Sequence, residues 1–80
     1  MNATEALAAL QPIFREVFED DDLTVTAETT APDVEGWDSV EHFNLIAAVE
    51  EAFHIRFQMK EVSGMKNVGE MAEIVAERAK

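Results

Sequence analysis

Cysteine is absent from the 80 residues, which excludes disulfides and thiolate-bound metal and fits a reducing compartment. Basic side chains are scarce: 6 Lys and Arg stand against 17 Asp and Glu, for a net charge of −11. Such a field repels phosphate backbones and anionic headgroups, so nucleic acid and membrane surfaces are not expected partners. Proteins that present Lys and Arg are. No apolar run approaches the roughly 20 residues that span a bilayer. Residues 1–14 lack a basic leader and carry Glu5 within their apolar stretch, so no signal peptide is expected. Strand patterns and internal repeats are lacking too.

What is present fits a folded domain. Hydrophobic content of 48% and charged content of 29% are those of globular chains. The length allows one domain over residues 1–80, with a single core and no room for a deep catalytic cavity. A soluble, cytoplasmic monomer is expected.

Asn2 or Thr4 can cap a first helix, and Glu5 falls where a capping box needs it. Leu7, Leu10, Ile13, Phe14, Val17 and Phe18 then form one apolar stripe. The stripe keeps phase across Pro12, which predicts one helix kinked there. The acids from Glu19 to Asp22 sit badly at the negative end of a helix dipole and predict its end. Residues 23–35 form a long connection, Thr-rich and containing Pro32, with no regular helix expected. Leu23, Val25 and Val34 are expected to turn inward from it.

A second helix is predicted from Asp38 or Ser39 to about Phe53, with Leu45, Ile46, Val49 and Phe53 on its inner side. Ile55 and Phe57 alternate inward from an extended piece. Met59 to Val62 predicts one short turn, broken by Ser63 and Gly64. Asn67 and Glu70 open the last helix, whose inner face is Val68, Met71, Ala72, Ile74 and Val75. Arg78 and Lys80 would complement its C-terminal dipole. The expected fold is all-α: a small four-helix bundle of three main helices and one short one, with a long loop between helices one and two.

Two kinds of chemistry fail on inspection. A calcium loop started at Asp20 has Val25 where Gly is required and Ala31 where a bidentate Glu is required. Asp38, Ser39 and His42 suggest a nucleophile, but residues bunched on one helical turn cannot supply a triad and oxyanion hole. His42 reads instead as a residue at the edge of the buried face. Asp38-Ser39 by itself is an ordinary helix start. The outer face that follows is less ordinary. Val40, Phe43, Ala47 and Ala48 make an apolar strip rimmed by Glu41, Glu50 and Glu51, which suits docking by a basic partner. A hydroxyl beside such a face, at a helix N-terminus that favours phosphate, reads as an attachment point.

The run Gly36-Trp37-Asp38-Ser39-Val40, continuing through Leu45-Ile46-Ala47-Ala48-Val49-Glu50-Glu51-Ala52-Phe53 to Ile55-Arg56-Phe57, resembles the acyl carrier proteins. So do Met59-Lys60-Glu61-Val62 and Asn67-Val68-Gly69-Glu70-Met71. The resemblance implies that Ser39 bears 4'-phosphopantetheine, installed from coenzyme A by a phosphopantetheinyl transferase. It implies that Asp38 helps place magnesium in that transfer, and that acyl-loading and acyl-transferring enzymes use basic surfaces to dock. It implies that Val40, Ala47, Glu50 and Glu51 face partner enzymes; with Glu41, Phe43 and Asn44 they make the expected partner face. Val40 departs from the family's frequent Leu or Met, Asn44 from a frequent acid, and Trp37 from a frequent small residue. These departures point to a specialised, discrete carrier of acyl groups in fatty-acid, polyketide or related lipid synthesis. An aminoacyl or peptidyl carrier, and an unmodified acidic interaction module, are the alternatives.

Overall fold

The computed structural model describes residues 1–79. Its elements are α1 (Ala3–Val17), α2 (Ser39–Phe53), α3 (Met59–Gly64) and α4 (Val68–Arg78), with a 3-10 turn over Ala31–Asp33. Among the described residues there is no strand, and no helix is long and apolar enough to cross a membrane. Three helix starts are held by side chains that lie within three residues of them. Asn2 Oδ1 accepts from Glu5 N–H at 2.8 Å while Glu5 Oε1 accepts from Asn2 N–H at 2.9 Å, a reciprocal capping box. Asp38 and Asn67 cap α2 and α4 in the same local way.

The single helix expected across Pro12 is present. Helix α1 runs unbroken through Pro12. Pro12 and Ala8 are both exposed, so the hydrogen bond that Pro12 removes is lost on the face where water replaces it. No α-helix forms in the connection, as expected; Pro32 is the second residue of the short 3-10 turn, within a first turn where a missing N–H has no intrahelical partner to lose. Asp33 closes that turn, accepting at 2.9 Å from both Thr30 N–H and Thr30 Oγ. These bonds, the backbone one foremost, hold the Asp33 carboxyl below its usual range.

The acids after α1 do not end it by charge alone. Asp20 N–H bonds to Arg15 O at 3.0 Å and Glu19 N–H to Glu16 O at 3.3 Å, with Glu19 at φ 52°. That is a Schellman close made without glycine. Helix α2 ends likewise, with Ile55 N–H on Glu50 O at 3.2 Å and His54 at φ 57°. A left-handed non-glycine residue costs about 1–2 kcal/mol, partly offset by the roughly 0.5–1 kcal/mol of entropy that glycine would lose on folding. His54→Gly is therefore expected to raise the melting midpoint by a few degrees; a lower midpoint in a thermal melt refutes this.

Helix α1 packs against α2 and α4. Phe14, Leu10, Leu45, Met71, Val49, Val68 and Val75 are the largest fully buried side chains. Of the predicted inner positions, Leu7, Ile13, Val17, Phe18, Leu23, Phe53, Phe57 and Ile74 are only half-buried. The long connection is tightly packed, with Val25 and Val34 buried. Gln11 acts toward it as a strand would: its Oε1 accepts from Val25 N–H at 2.9 Å and its Nε2 donates to Val25 O at 2.8 Å. Farther on, Ala27 O and Thr29 O accept from Gly69 N–H and Val68 N–H, both at 2.9 Å, satisfying donors at the start of α4. A Cβ on Gly69 would stand 2.8 Å from Ala27 O, so this close approach requires glycine.

One further expectation is corrected, at α3. Ser63 and Gly64 do not break α3, which includes both; Ser63 Oγ donates back to Met59 O at 2.8 Å. Arg78 stands in the last turn of α4, as expected, and also reaches α3. Its two terminal nitrogens donate to Glu61 Oε1 and Oε2, each at 2.6 Å, and one also to Arg56 O at 2.9 Å. Lys80 lies outside the described residues. The Arg78 hydrogen bonds, and then that from Gln58 N–H, hold the Glu61 carboxyl below its usual range. A lowered folded value means that the stabilisation is complete above the unfolded pKa, about 4.3, and is lost as pH falls through the folded value. The stability difference between the native chain and Glu61→Gln is expected to be full at neutral pH and to vanish in acid. Denaturant melts across a pH series check this; a difference that persists in acid refutes it.

Candidate functional site

Gly36 turns the chain at φ 88°, a conformation open to glycine. Trp37 follows, half-buried on the core, with its N–H on Val34 O at 3.2 Å. Asp38 then caps α2: its Oδ1 accepts from Glu41 N–H at 2.8 Å and its carbonyl from His42 N–H at 2.9 Å. Ser39 is the first helical residue and is exposed. Because Asp38 supplies the capping oxygen, the Ser39 hydroxyl is spare. The Ser39 and Val40 N–H groups precede the first intrahelical donor, so they and the helix dipole favour an anion attached at this end.

His42 is half-buried at the edge of the core, as expected, and lines a cleft beside Ser39. Trp37 Nε1–H donates to its Nδ1 at 3.0 Å, and indole nitrogen can only donate. The proton of neutral His42 is thereby assigned to Nε2, which donates to Val62 O on α3 at 3.0 Å. Both ring nitrogens are engaged away from Ser39, so His42 is not placed to activate that hydroxyl. This cleft, of about 510 Å³, opens between the start of α2, the α3–α4 corner around Met65, and the Thr30–Pro32 segment.

The predicted partner face divides in two. Val40 and Phe43 are exposed at 68% and 56%, and Asn44, Ala47 and Glu51 are exposed beside them. Glu41 and Glu50 are half-buried and already engaged. Glu41 Oε1 accepts from Asn44 Nδ2 at 2.8 Å. Glu50 Oε2 accepts from Phe57 N–H at 2.8 Å, with Oε1 3.9 Å from Arg56, which ties α2 to the segment after it. Sequence periodicity places Glu50 on the rim but does not reveal this tie, because the partner is a backbone N–H seven residues away. Exposed Met59, at 70%, is another apolar surface residue that the periodicity did not single out. Among the described residues, no group of three or more His, Cys, Asp or Glu is placed to hold a metal ion, the acids from Asp20 to Asp22 included.

The chain is a four-helix scaffold with an exposed serine at the capped start of α2. Comparison with solved structures finds the solution NMR structure of a holo acyl carrier protein from Geobacter metallireducens, with a TM-score of 0.87 and 45% sequence identity. The match covers 91% of this chain and 84% of that one. No protein-family model matches the chain, and no curated protein does. At that identity and coverage the chain belongs to the acyl carrier proteins.

Proposed function

We propose that the protein is a discrete carrier whose Ser39 bears 4'-phosphopantetheine through a phosphodiester. Acyl intermediates would ride as thioesters on the arm's distal thiol, between cytoplasmic enzymes of fatty-acid, polyketide or related lipid synthesis. The observation that carries this reading is the exposed, uncommitted Ser39 hydroxyl at the capped start of α2. A thiol on the arm accounts for a thioester carrier that has no cysteine of its own. Tethering raises the local concentration of cargo at a docked active site, so weak and exchangeable docking suffices. Val40, Phe43, Asn44, Ala47 and Glu51 supply an exposed face for basic partner surfaces, with Glu41 and Glu50 at its margin. Incubation with coenzyme A and a broad-specificity transferase is expected to add the mass of one phosphopantetheine. No mass gain would sink the reading and leave an unmodified acidic interaction module.

Asp38 suits the magnesium role because its cap uses Oδ1, leaving Oδ2 for an ion that takes one carboxylate and keeps most of its water. Asn is as good a cap as Asp, so the two roles separate by substitution. Asp38→Asn is expected to melt like the native chain yet gain the arm several-fold more slowly at limiting magnesium. Asp38→Ala should lose about 1 kcal/mol of stability in addition. Initial rates by intact mass, paired with thermal melts, check both; a native rate for Asp38→Asn would remove the magnesium role.

A further inference from the structure

Most polar groups that line the cleft beside Ser39 are already spent. Thr30 Oγ donates to Asp33 at 2.9 Å and Ser63 Oγ to Met59 O at 2.8 Å. Trp37 and His42 bond to each other and to Val62 O. Two donors remain, both on the α3–α4 corner. Lys66 is exposed and, among the described residues, is the only Lys or Arg lining the cleft. Glu70 accepts from its backbone N–H at 2.8 Å, but the ion pairs among the described residues are Arg56 with Glu50 and Arg78 with Glu61. The Lys66 ammonium is thus unpaired in a chain where acids outnumber bases 17 to 6. Asn67 Oδ1 is committed to the α4 cap, accepting from Glu70 N–H at 3.0 Å, which leaves Nδ2 as the second spare donor. The same cleft is lined by Phe43, exposed at 56%, and by half-buried Met65. Phosphopantetheine carries the complementary pattern: a phosphodiester at the tethered end, a carbon bearing two methyls, then two amides and the thiol. Its phosphate oxygens and amide carbonyls accept, and its methyls gain by leaving water for apolar side chains. The tether confines all of these beside the corner, so contacts too weak to hold a free ligand suffice.

We propose that Lys66 and Asn67 bind the prosthetic arm at rest. The Lys66 ammonium takes the phosphodiester, Asn67 Nδ2 donates to an amide carbonyl of the arm, and the paired methyls rest on Phe43 and Met65. The arm then lies along the cleft and leaves it to deliver cargo. The inference rests on Ser39 being the tether. It is tested on the chain loaded from coenzyme A by a broad-specificity transferase, with no acyl cargo, so that the arm alone occupies the cleft. Intact mass records loading, and NMR compares the chain before and after it. Loading is expected to shift the amide signals of Met65, Lys66 and Asn67, and to give nuclear Overhauser contacts from the arm's paired methyls to the Phe43 ring and the Met65 methyl. Lys66→Gln alters a side chain that is exposed and makes no bond in the fold, so it should fold natively and load fully. Its ratio of seated to free arm should fall about two- to five-fold, the size of an exposed ion pair. Added salt should lower the seated fraction of the native chain and leave that of Lys66→Gln little changed. Shifts confined to Ser39 and the first turn of α2, without contacts to Phe43 or Met65, would overturn the inference. So would a Lys66→Gln chain that seats the arm as well as the native one. Absence of any mass gain would overturn the Ser39 tether and this inference together, whereas a fully loaded chain whose arm moves freely overturns the inference alone.

Discussion

Ser39→Ala is expected to abolish the phosphopantetheine mass gain completely while leaving the fold intact. The two halves of this result follow from different facts. The gain is lost because no oxygen remains at the first position of α2. The fold survives because Ser39 is exposed and Asp38 holds the cap, its Oδ1 2.8 Å from Glu41 N–H. Alanine is also the better helix former, so the stability change should stay within about 0.5 kcal/mol, a shift of no more than about 4 °C. Intact mass after transferase treatment and a thermal melt of the same sample check both halves. A variant that still gains mass would move the attachment to another hydroxyl. Ser63 would be the first to examine, since it lines the same cleft, although its Oγ already donates to Met59 O at 2.8 Å. A variant that melts far below the native chain would make Ser39 a structural residue.

The parts of the molecule legible in its sequence are those whose physics is local. Asn2 with Glu5, Asp38, and Asn67 with Glu70 are side chains that bond N–H groups within three residues, so residue type and spacing predict the helix starts. Apolar periodicity likewise identifies Leu10, Phe14, Leu45, Val49, Met71 and Val75 as inner positions, all fully buried. Helix ends are harder to read. Glu19 and His54 take left-handed conformations that glycine normally advertises, so neither stop carries its usual mark. Pro12 and Pro32 are accommodated for a related reason: a missing N–H costs little where water replaces its bond, as on the exposed face at Pro12, or in a first turn, as at Pro32.

The site shows the same division. Asp38, Ser39 and the exposed Val40 and Phe43 can be read from a helix start and its period. The contacts behind them cannot. His42 meets Val62 across 20 positions, and long separations hide other braces too: Gln11 meets Val25 across 14 and Arg78 meets Glu61 across 17. Each is a tertiary contact between groups whose local patterns are uninformative. His42 shares a helical turn with Ser39, a spacing that already argues against a triad, but only the structure shows where its two nitrogens are used.

Phe14→Ala is expected to leave the domain largely unfolded at physiological temperature. Phe14 is fully buried, within 6.0 Å of the Phe18 ring and 5.5 Å of Trp37, so truncation empties the centre of the aromatic cluster beneath the site. Removing a buried Phe costs about 3–5 kcal/mol. A domain of this length holds only roughly 4–12 kcal/mol in all, and a net charge of −11 adds self-repulsion that weakens the compact state further. The smaller figure already implies a midpoint lower by more than about 12 °C. Circular dichroism melts and urea titrations check the size of the loss. Trp37 depends on Phe14 for its seat, so any folded remainder of the variant should also show an altered Trp37 fluorescence spectrum. A midpoint within a few degrees of native would mean that the cluster repacks around the missing ring, and that Trp37 is held at the cleft by His42 rather than by the core.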